Sequence, residues 1–387
     1  MLEAYLDNSA TTCVHPQVVQ AMVAAMQENY GNPSSGHRRG QAAEQAVKKA
    51  RGQVAQVLQV NPEEIYFTSG GTESNNWALR GITQARARQG RHLITTKVEH
   101  PSVLDVFRLL EEQGFTVTYI PVDKYGFVDL DALEASLTPE TILVSTMYVN
   151  NEVGAIMPLL EISRLLKQKA PQAAWHVDAV QGFSKLQLEP HKLGIDLVSL
   201  SAHKIQGPKG SGALFARHDL HLPPLILGGG QEDGQRSGTE NVPGIVGLGL
   251  AASIMWERRE TAISHMAQLK ERLRQRVLTE IPDTLANGPQ DKGGAPYILN
   301  MSFAGVKGEV LLRALGDKGI YVSTGSACSS HHAHGSHVLK AMGLSQPMLD
   351  GALRFSFSPD NTLSEIDYVV DCLKEIVPKL RRIIAGR

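Results

Sequence analysis

Ile65-Tyr66-Phe67-Thr68-Ser69-Gly70-Gly71-Thr72-Glu73-Ser74 carries the end of one element and the start of the next. Ile65–Thr68 reads as a strand, the paired glycines interrupt it, and an amphipathic stretch to about Arg88 reads as a helix. Working outward, the pattern repeats. His92–Thr96 is the next strand and Ser102–Gln113 the next helix. Strands recur near Val117–Ile120, Ile142–Thr146, Trp175–Val177, Leu197–Leu200 and Gly212–Ala216, with helices between many of them. This alternation predicts an α/β fold, a mostly parallel sheet with helices on both faces. Ligands of such sheets bind outside the carboxyl ends of the strands.

Residues 221–240, with Pro223-Pro224 and Gly228-Gly229-Gly230, read as an irregular crossing segment, and Val242 to Leu278 as one long helical stretch. Beyond it come short strands (Ile298–Phe303, Leu353–Phe357) and helices (Gly308–Lys318, Leu363–Ile384), the pattern of a smaller α+β domain. The expected division is a large cofactor-binding domain over 16–260, and a small domain over 1–15 and 261–387 that carries a cysteine-bearing loop.

The bulk numbers narrow the function classes. The chain has 387 residues, 42% hydrophobic and 20% charged, with a net charge of −1. No clustered basic face suggests nucleic acid or a membrane surface, and no apolar run could span a bilayer. The start, Met1-Leu2-Glu3-Ala4-Tyr5, does not read as a signal peptide. Cys13, Cys328 and Cys372 do not read as a disulfide framework, so a reduced, cytoplasmic setting is expected.

Lys204 follows a strand in Ser199-Leu200-Ser201-Ala202-His203-Lys204, and Asp178 ends another in Trp175-His176-Val177-Asp178. A lone lysine is ordinarily a surface residue. An acid and a lysine at neighbouring strand ends can face one site. That suits a cofactor whose aldehyde joins an amine and whose ring nitrogen must stay protonated. Gly70-Gly71-Thr72 at a helix start can approach an anion with free N–H groups. It equally fits a plain capped helix, and it lacks the features of a nucleotide P-loop or a dinucleotide fingerprint. His100 follows a strand, where an imidazole can stack on a ring and move protons. Asn150-Asn151-Glu152 offers hydrogen-bonding groups at another strand end, or simply a turn.

Cys328 sits among small polar residues, Ser323-Thr324-Gly325-Ser326-Ala327-Cys328-Ser329-Ser330, with His331, His332 and His334 close behind. This reads as an exposed loop whose thiolate can attack sulfur and hold it as a persulfide. Zinc is a second reading of the cysteine and histidines, but nothing sets a closed ligand geometry, and no metal is expected. Arg354 stands in the apolar strand Leu353-Arg354-Phe355-Ser356. A bidentate grip on a carboxylate and a structural ion pair both account for it.

With those residues assembled, the chain resembles bacterial cysteine desulfurases, in the class V aminotransferase group of fold-type-I pyridoxal-phosphate enzymes. The motifs run in order from Tyr5-Leu6-Asp7-Asn8-Ser9-Ala10-Thr11-Thr12 and Tyr30-Gly31-Asn32-Pro33-Ser34-Ser35 to Gly71-Thr72-Glu73-Ser74. They continue through Val149-Asn150-Asn151-Glu152, His176-Val177-Asp178, Ser201-Ala202-His203-Lys204 and Arg236-Ser237-Gly238-Thr239-Glu240-Asn241 to Gly325-Ser326-Ala327-Cys328 and Arg354-Phe355-Ser356. The resemblance implies conversion of L-cysteine to L-alanine with pyridoxal 5'-phosphate. Sulfur would pass through Cys328 to an acceptor protein serving iron–sulfur clusters, thio-cofactors or tRNA. Lys204 would join the cofactor, Asp178 pair with its ring nitrogen, Gln181 bond its hydroxyl, and His100 stack on the ring. Asn151 would orient ring and substrate. Gly71, Thr72, Ser201 and His203 would surround the phosphate, with Thr239 reaching the phosphate of the other subunit in a homodimer. Arg354 would hold the substrate carboxylate. The cysteine segment looks like the branch with a long mobile loop.

Two departures stand out. Cys13 takes the place of the proline usual after Thr-Thr, and a C-terminal extension of the kind some relatives use to dock a scaffold protein is not expected. The resemblance leaves two other readings. A class V aminotransferase or selenocysteine lyase would share Lys204, Asp178 and Arg354 but would not need Cys328. A cofactor-binding scaffold would not need the full set.

Overall fold

The computed structural model describes residues 2–291, 293–324 and 335–385. The strands among the described residues are β1 (Ala4–Tyr5), β2 (Ile65–Thr68), β3 (His92–Thr96), β4 (Thr116–Ile120), β5 (Thr141–Met147), β6 (Ala174–Asp178), β7 (Leu197–Ser201), β8 (Gly212–Ala216), β9 (Thr284–Asn287), β10 (Ile298–Phe303), β11 (Ile320–Tyr321) and β12 (Ala352–Ser356). The larger sheet has seven strands in the order β2-β8-β7-β6-β5-β3-β4. Its members pair in parallel except β8, which runs antiparallel to both β2 and β7. The α/β expectation holds, and β8 is why the sheet is mostly rather than wholly parallel.

Every residue of β3, β5, β6, β7 and β8 is buried, the condition of strands covered on both faces. Alternate residues of a strand serve opposite faces. Leu143 and Leu197 pack with Trp77, Ile82 and Phe107, from helices Gly71–Arg86 and Pro101–Glu112. Val144 and Val198 pack with Val54, Ile162 and Leu248, from helices Arg38–Leu58, Leu159–Lys169 and Val242–Glu257. Gly249 lets two of these helices cross closely, since a Cβ there would lie 2.6 Å from Ala50 Cα.

The stretch expected as one helix from Val242 to Leu278 is two, Val242–Glu257 and Arg259–Glu280, meeting at Arg258 with φ −96° and ψ 4°. The apolar periodicity continues on both sides, with neither Gly nor Pro at the break. At the break the Arg258 guanidinium donates to the distant Gln206 Oε1, and locally Thr261 Oγ1 donates to the Arg258 carbonyl at 2.9 Å. The segment before these helices is irregular apart from a 3-10 turn at Glu232–Gly234. It is pinned by Trp77 Nε1 donating to the Pro223 carbonyl at 2.9 Å and by a fork from Arg51 to Glu232 at 2.7 and 2.8 Å.

The smaller sheet, β12-β10-β9, is antiparallel, and helices Arg259–Glu280 and Leu363–Ala385 pack together beside it. β1 pairs in parallel with β11. Among the described residues no helix is long and apolar enough to cross a membrane.

Candidate active site

The site lies where the sheet rule places it. Asp178 ends β6, Ser201 ends β7, His100 and Asn151 follow β3 and β5, and Lys204 closes the 3-10 turn after β7. Gly70, between β2 and helix Gly71–Arg86, has φ 153° and ψ −178°, a region essentially confined to glycine. The first helical bond runs from Ser74 N–H to the Gly70 carbonyl at 3.1 Å. This leaves the N–H groups of Gly71 and Thr72 unused by the helix. A Cβ on Gly71 would meet Val180 Cγ2 at 2.6 Å, so a larger residue there would intrude on the same space.

Gly71, Thr72, His100, Asn151, Asp178, Gln181, Ser201, His203, Lys204 and Arg354 all line one cavity of about 180 Å³. Thr239 does not; it is exposed in the irregular segment, near Arg236, which pairs with Glu73 at 2.9 Å. Cys328 and His331, His332 and His334 lie outside the described residues. Among the described residues no group of three or more His, Cys, Asp or Glu is placed to hold a metal.

The polar groups are held from behind. Asp178 accepts from Asn75 Nδ2 at 2.8 Å and from the Val180 N–H at 3.0 Å. Lys204 Nζ donates to the Ser9 and Ala10 carbonyls at 2.5 and 2.7 Å. Gln181 Nε2 donates to the same Ser9 carbonyl at 2.9 Å. His100 Nδ1 accepts from the Ser102 N–H at 3.1 Å and lies 2.8 Å from Ser102 Oγ, which leaves Nε2 to carry the proton of a neutral ring. Burial holds the His100 pKa below the usual imidazole range, and nearby Lys204 adds to this while Asp178 opposes it. Burial, reinforced by Lys204, takes His203 down to about 4.

Arg354 is 2% exposed. Nη2 pairs with Asp7 at 2.8 Å, Nη1 donates to the Asn151 carbonyl at 2.9 Å, and Nε has no partner among the described residues. The structural ion pair is therefore present, and the guanidinium still faces the cavity. Behind the wall, burial pushes Glu99 up to about 8 and Glu152 to about 7. Glu99 Oε1 accepts from Thr96 Oγ1 at 2.7 Å and the Met147 N–H at 2.9 Å. Ser336 donates to Glu152 at 2.5 Å and His337 Nε2 bonds the Glu99 carbonyl at 2.9 Å, so the chain after residue 334 is tied back against the cavity wall.

These residues fit pyridoxal phosphate. Gln181 Oε1 and Asn75 Oδ1 are buried without a partner among the described residues, in a site where unsatisfied groups are otherwise costly. An amine and a carboxylate face the same space, and unused helix amides stand at one end, as a phosphate requires.

Sequence reading missed several supports. Asn75, which holds Asp178, lies one helical turn beyond Gly71; that spacing is a signal it shares the cavity face. Asp7 and the Ser9 and Ala10 carbonyls belong to the stretch Tyr5–Thr12, whose sequence alone gives them no role. Their contacts with Lys204 and Arg354 span hundreds of residues, and nothing local announces them.

The chain belongs to the aminotransferase class-V family, which its residues 4–369 match, a family of pyridoxal-phosphate enzymes. Its relatives narrow the class to the cysteine desulfurases. A cysteine desulfurase of Trichormus azollae is 48% identical over 97% of this chain and 93% of its own length. The cysteine desulfurase IscS of Methanosarcina thermophila is 46% identical over 97% and 92%. Among solved structures, a NifS-like protein superposes with a TM-score of 0.93 at 41% identity, covering 98% of this chain and 100% of that one.

Proposed function

We propose that the protein is a cysteine desulfurase in which Lys204, Asp178 and Arg354 work on L-cysteine and Cys328 receives its sulfur. The observation that carries this reading is that Lys204 and Asp178 face one cavity with Arg354 in its wall, and the sequence supplies in Cys328 a thiol that an aminotransferase would not need.

Lys204 would hold the cofactor, with Asp178 at its ring nitrogen, Gln181 at its hydroxyl, and Thr72, Ser201, His203 and the Gly71 N–H around its phosphate. When bound, the cofactor supplies an electron sink next to the substrate Cα. Arg354 and Asn151 orient the substrate by its carboxylate, so that the Cα proton is presented to Lys204. His100, its Nδ1 already occupied, exchanges protons through Nε2. The Cys328 thiolate forms a sulfur–sulfur bond as the substrate carbon–sulfur bond breaks; the electron pair stays with the carbon fragment, which leaves as alanine after taking a proton. The Cys328 persulfide is the form passed to an acceptor protein.

The active unit in this reading is a homodimer in the cytoplasm. Val19, Val23 and Met26 form an exposed apolar stripe on helix Pro16–Gln27, and Leu227 is 83% exposed in the irregular segment beside Thr239. Exposed apolar surface of this kind favours an isologous contact that would carry Thr239 to the partner's phosphate.

The test is to incubate cofactor-loaded protein with L-cysteine and dithiothreitol and measure sulfide and alanine. Equal amounts of both are expected. Amino transfer to an oxo acid without sulfide would replace this reading with an aminotransferase, and turnover of selenocysteine alone with a lyase.

A further inference from the structure

The turn that follows β5 brings Asn151 to the cavity, and the next residue, Glu152, has no role assigned so far. Glu152 is 3% exposed, a rare place for a carboxyl. Ser336 Oγ, itself buried, donates to Glu152 Oε2 at 2.5 Å. The same hydroxyl oxygen accepts from the Leu339 N–H at 3.0 Å, as the N-cap of helix His337–Ala341. Burial disfavours the ionised carboxyl, while the Ser336 bond and the charge of Arg354 favour it. A short hydrogen bond and a nearby cation thus offset the lost water.

The backbone around Glu152 is held from two directions. Asn150 Oδ1 accepts from the N–H groups of Glu152 and Val153 at 2.9 and 3.0 Å, and Asn150 Nδ2 donates to the Val98 carbonyl at 3.1 Å. These bonds tie the turn to the chain leaving β3. The others come from the smaller sheet and the helix beside it. Arg354 Nη1, on β12, donates to the Asn151 carbonyl at 2.9 Å. Asn300 Nδ2, on β10, donates to the Glu152 carbonyl at 3.3 Å, and Ser336 takes the carboxyl. Asn151 is therefore placed by contacts made largely through Glu152, not by its own side chain.

We propose that Glu152 is a positioning residue for substrate binding: held by Ser336, its carboxyl fixes the turn so that Asn151, and the Arg354 guanidinium resting on the Asn151 carbonyl, meet the substrate at one set place. The inference rests on the reading of Asn151 and Arg354 as the groups that hold the substrate.

Without the Ser336 hydroxyl, the carboxyl is a buried acceptor stripped of a donor, which is costly. It relieves that cost by shifting toward water, and Asn151, one peptide away, shifts with it. The bonds from Asn150 and Asn300 remain, so the turn is displaced rather than unfolded. A misplacement of about 1 Å at a substrate contact can cost about 100-fold. What is lost is binding common to substrate and transition state, which raises KM and spares kcat. Asp178 and Lys204 stand at the ends of other strands, β6 and β7, so cofactor capture is untouched.

Cofactor-loaded wild type, Ser336→Ala, Glu152→Ala and Glu152→Gln are compared by sulfide release against L-cysteine concentration. Ser336→Ala and Glu152→Ala should each raise KM about 10-fold with kcat within about twofold of wild type. Glu152→Gln, whose amide oxygen still accepts from Ser336, should restore most of the lost affinity. Combining Ser336→Ala with Glu152→Ala should add little, because both remove the same bond. In cofactor-free protein, amide hydrogen exchange at residues 151–153 should be faster in Ser336→Ala than in wild type. Unchanged KM or unchanged exchange in Ser336→Ala overturns the proposal. So does a fall in kcat and cofactor retention together with the rise in KM, the mark of a merely structural role, or a Glu152→Gln as impaired as Glu152→Ala. If Glu152→Ala does not fold, Ser336→Ala decides by itself. Arg354→Lys is run alongside. A wild-type KM in Arg354→Lys fails the underlying reading of the substrate site, whereas a raised KM there with Ser336→Ala unchanged fails this inference alone.

Discussion

Arg354→Lys separates the two jobs the structure gives this side chain. The ammonium keeps a charge for Asp7, so the buried ion pair survives in weakened form. The planar fork is lost, and with it the bond to the Asn151 carbonyl and the Nε–H now without a partner. Hydrogen bonds to charged groups contribute about 1.5–3 kcal/mol each, so losing one to the substrate carboxylate should raise KM for cysteine roughly 10- to 150-fold. Stability should suffer less, by about 1 kcal/mol for the bond to Asn151. The control is Asp7→Asn, which disturbs the ion pair without touching the proposed substrate contact. It should lower the thermal midpoint while leaving KM within about twofold of wild type. The assay is sulfide release against cysteine concentration, alongside thermal unfolding of each loaded protein. If Arg354→Lys leaves KM unchanged, or if both variants raise it equally, Arg354 is only the partner of Asp7 and the carboxylate assignment is wrong.

Cys328→Ala should give a protein that binds cofactor and cysteine but forms no persulfide and little sulfide. Cys13→Ala and Cys372→Ala should retain most activity, and mass spectrometry after cysteine treatment would refute the assignment by finding added sulfur on either of those thiols instead. Glu99→Gln should be stabilising in a pH-dependent way. The folded carboxyl titrates near 8 against an ordinary 4.5, so its contribution is present in full below 4.5 and lost as pH rises through 8. The thermal midpoint of Glu99→Gln relative to wild type should therefore climb over that window, and a constant difference would contradict it. Val23→Glu combined with Leu227→Glu should shift the protein toward monomer in sedimentation and weaken cofactor retention; a monomer with full activity would refute shared sites.

Much of the sheet could be read locally because its strands are short apolar runs closed by glycine or a polar residue. Ile65–Thr68 and Gly212–Ala216 match the sequence expectation end to end. The direction of β8 could not be read so, because a buried antiparallel strand between two neighbours has the same composition as a parallel one. The break at Arg258 escaped because neither Gly nor Pro marks it in the sequence. In the site, residues at strand ends announced themselves, since a polar group closing an apolar run is conspicuous. Asn75, inside a helix, is less conspicuous, because its only local signal is its place one turn beyond Gly71.

The contacts of the segment around Asp7 also bear on how the protein is made. Asp7 and Arg354 are separated by 347 positions, and Asn8 reaches the Ser356 carbonyl across 348. A nascent chain emerges from its amino end, so Asp7 and Asn8 leave the ribosome more than 300 residues before the partners they meet in the folded protein. The sheet can form as its strands appear, because most pair with neighbours close in sequence. The pocket cannot be completed until β12 has been translated and has docked. A product ending before residue 350 would carry Lys204 and Asp178 yet lack Arg354 from the wall of their cavity.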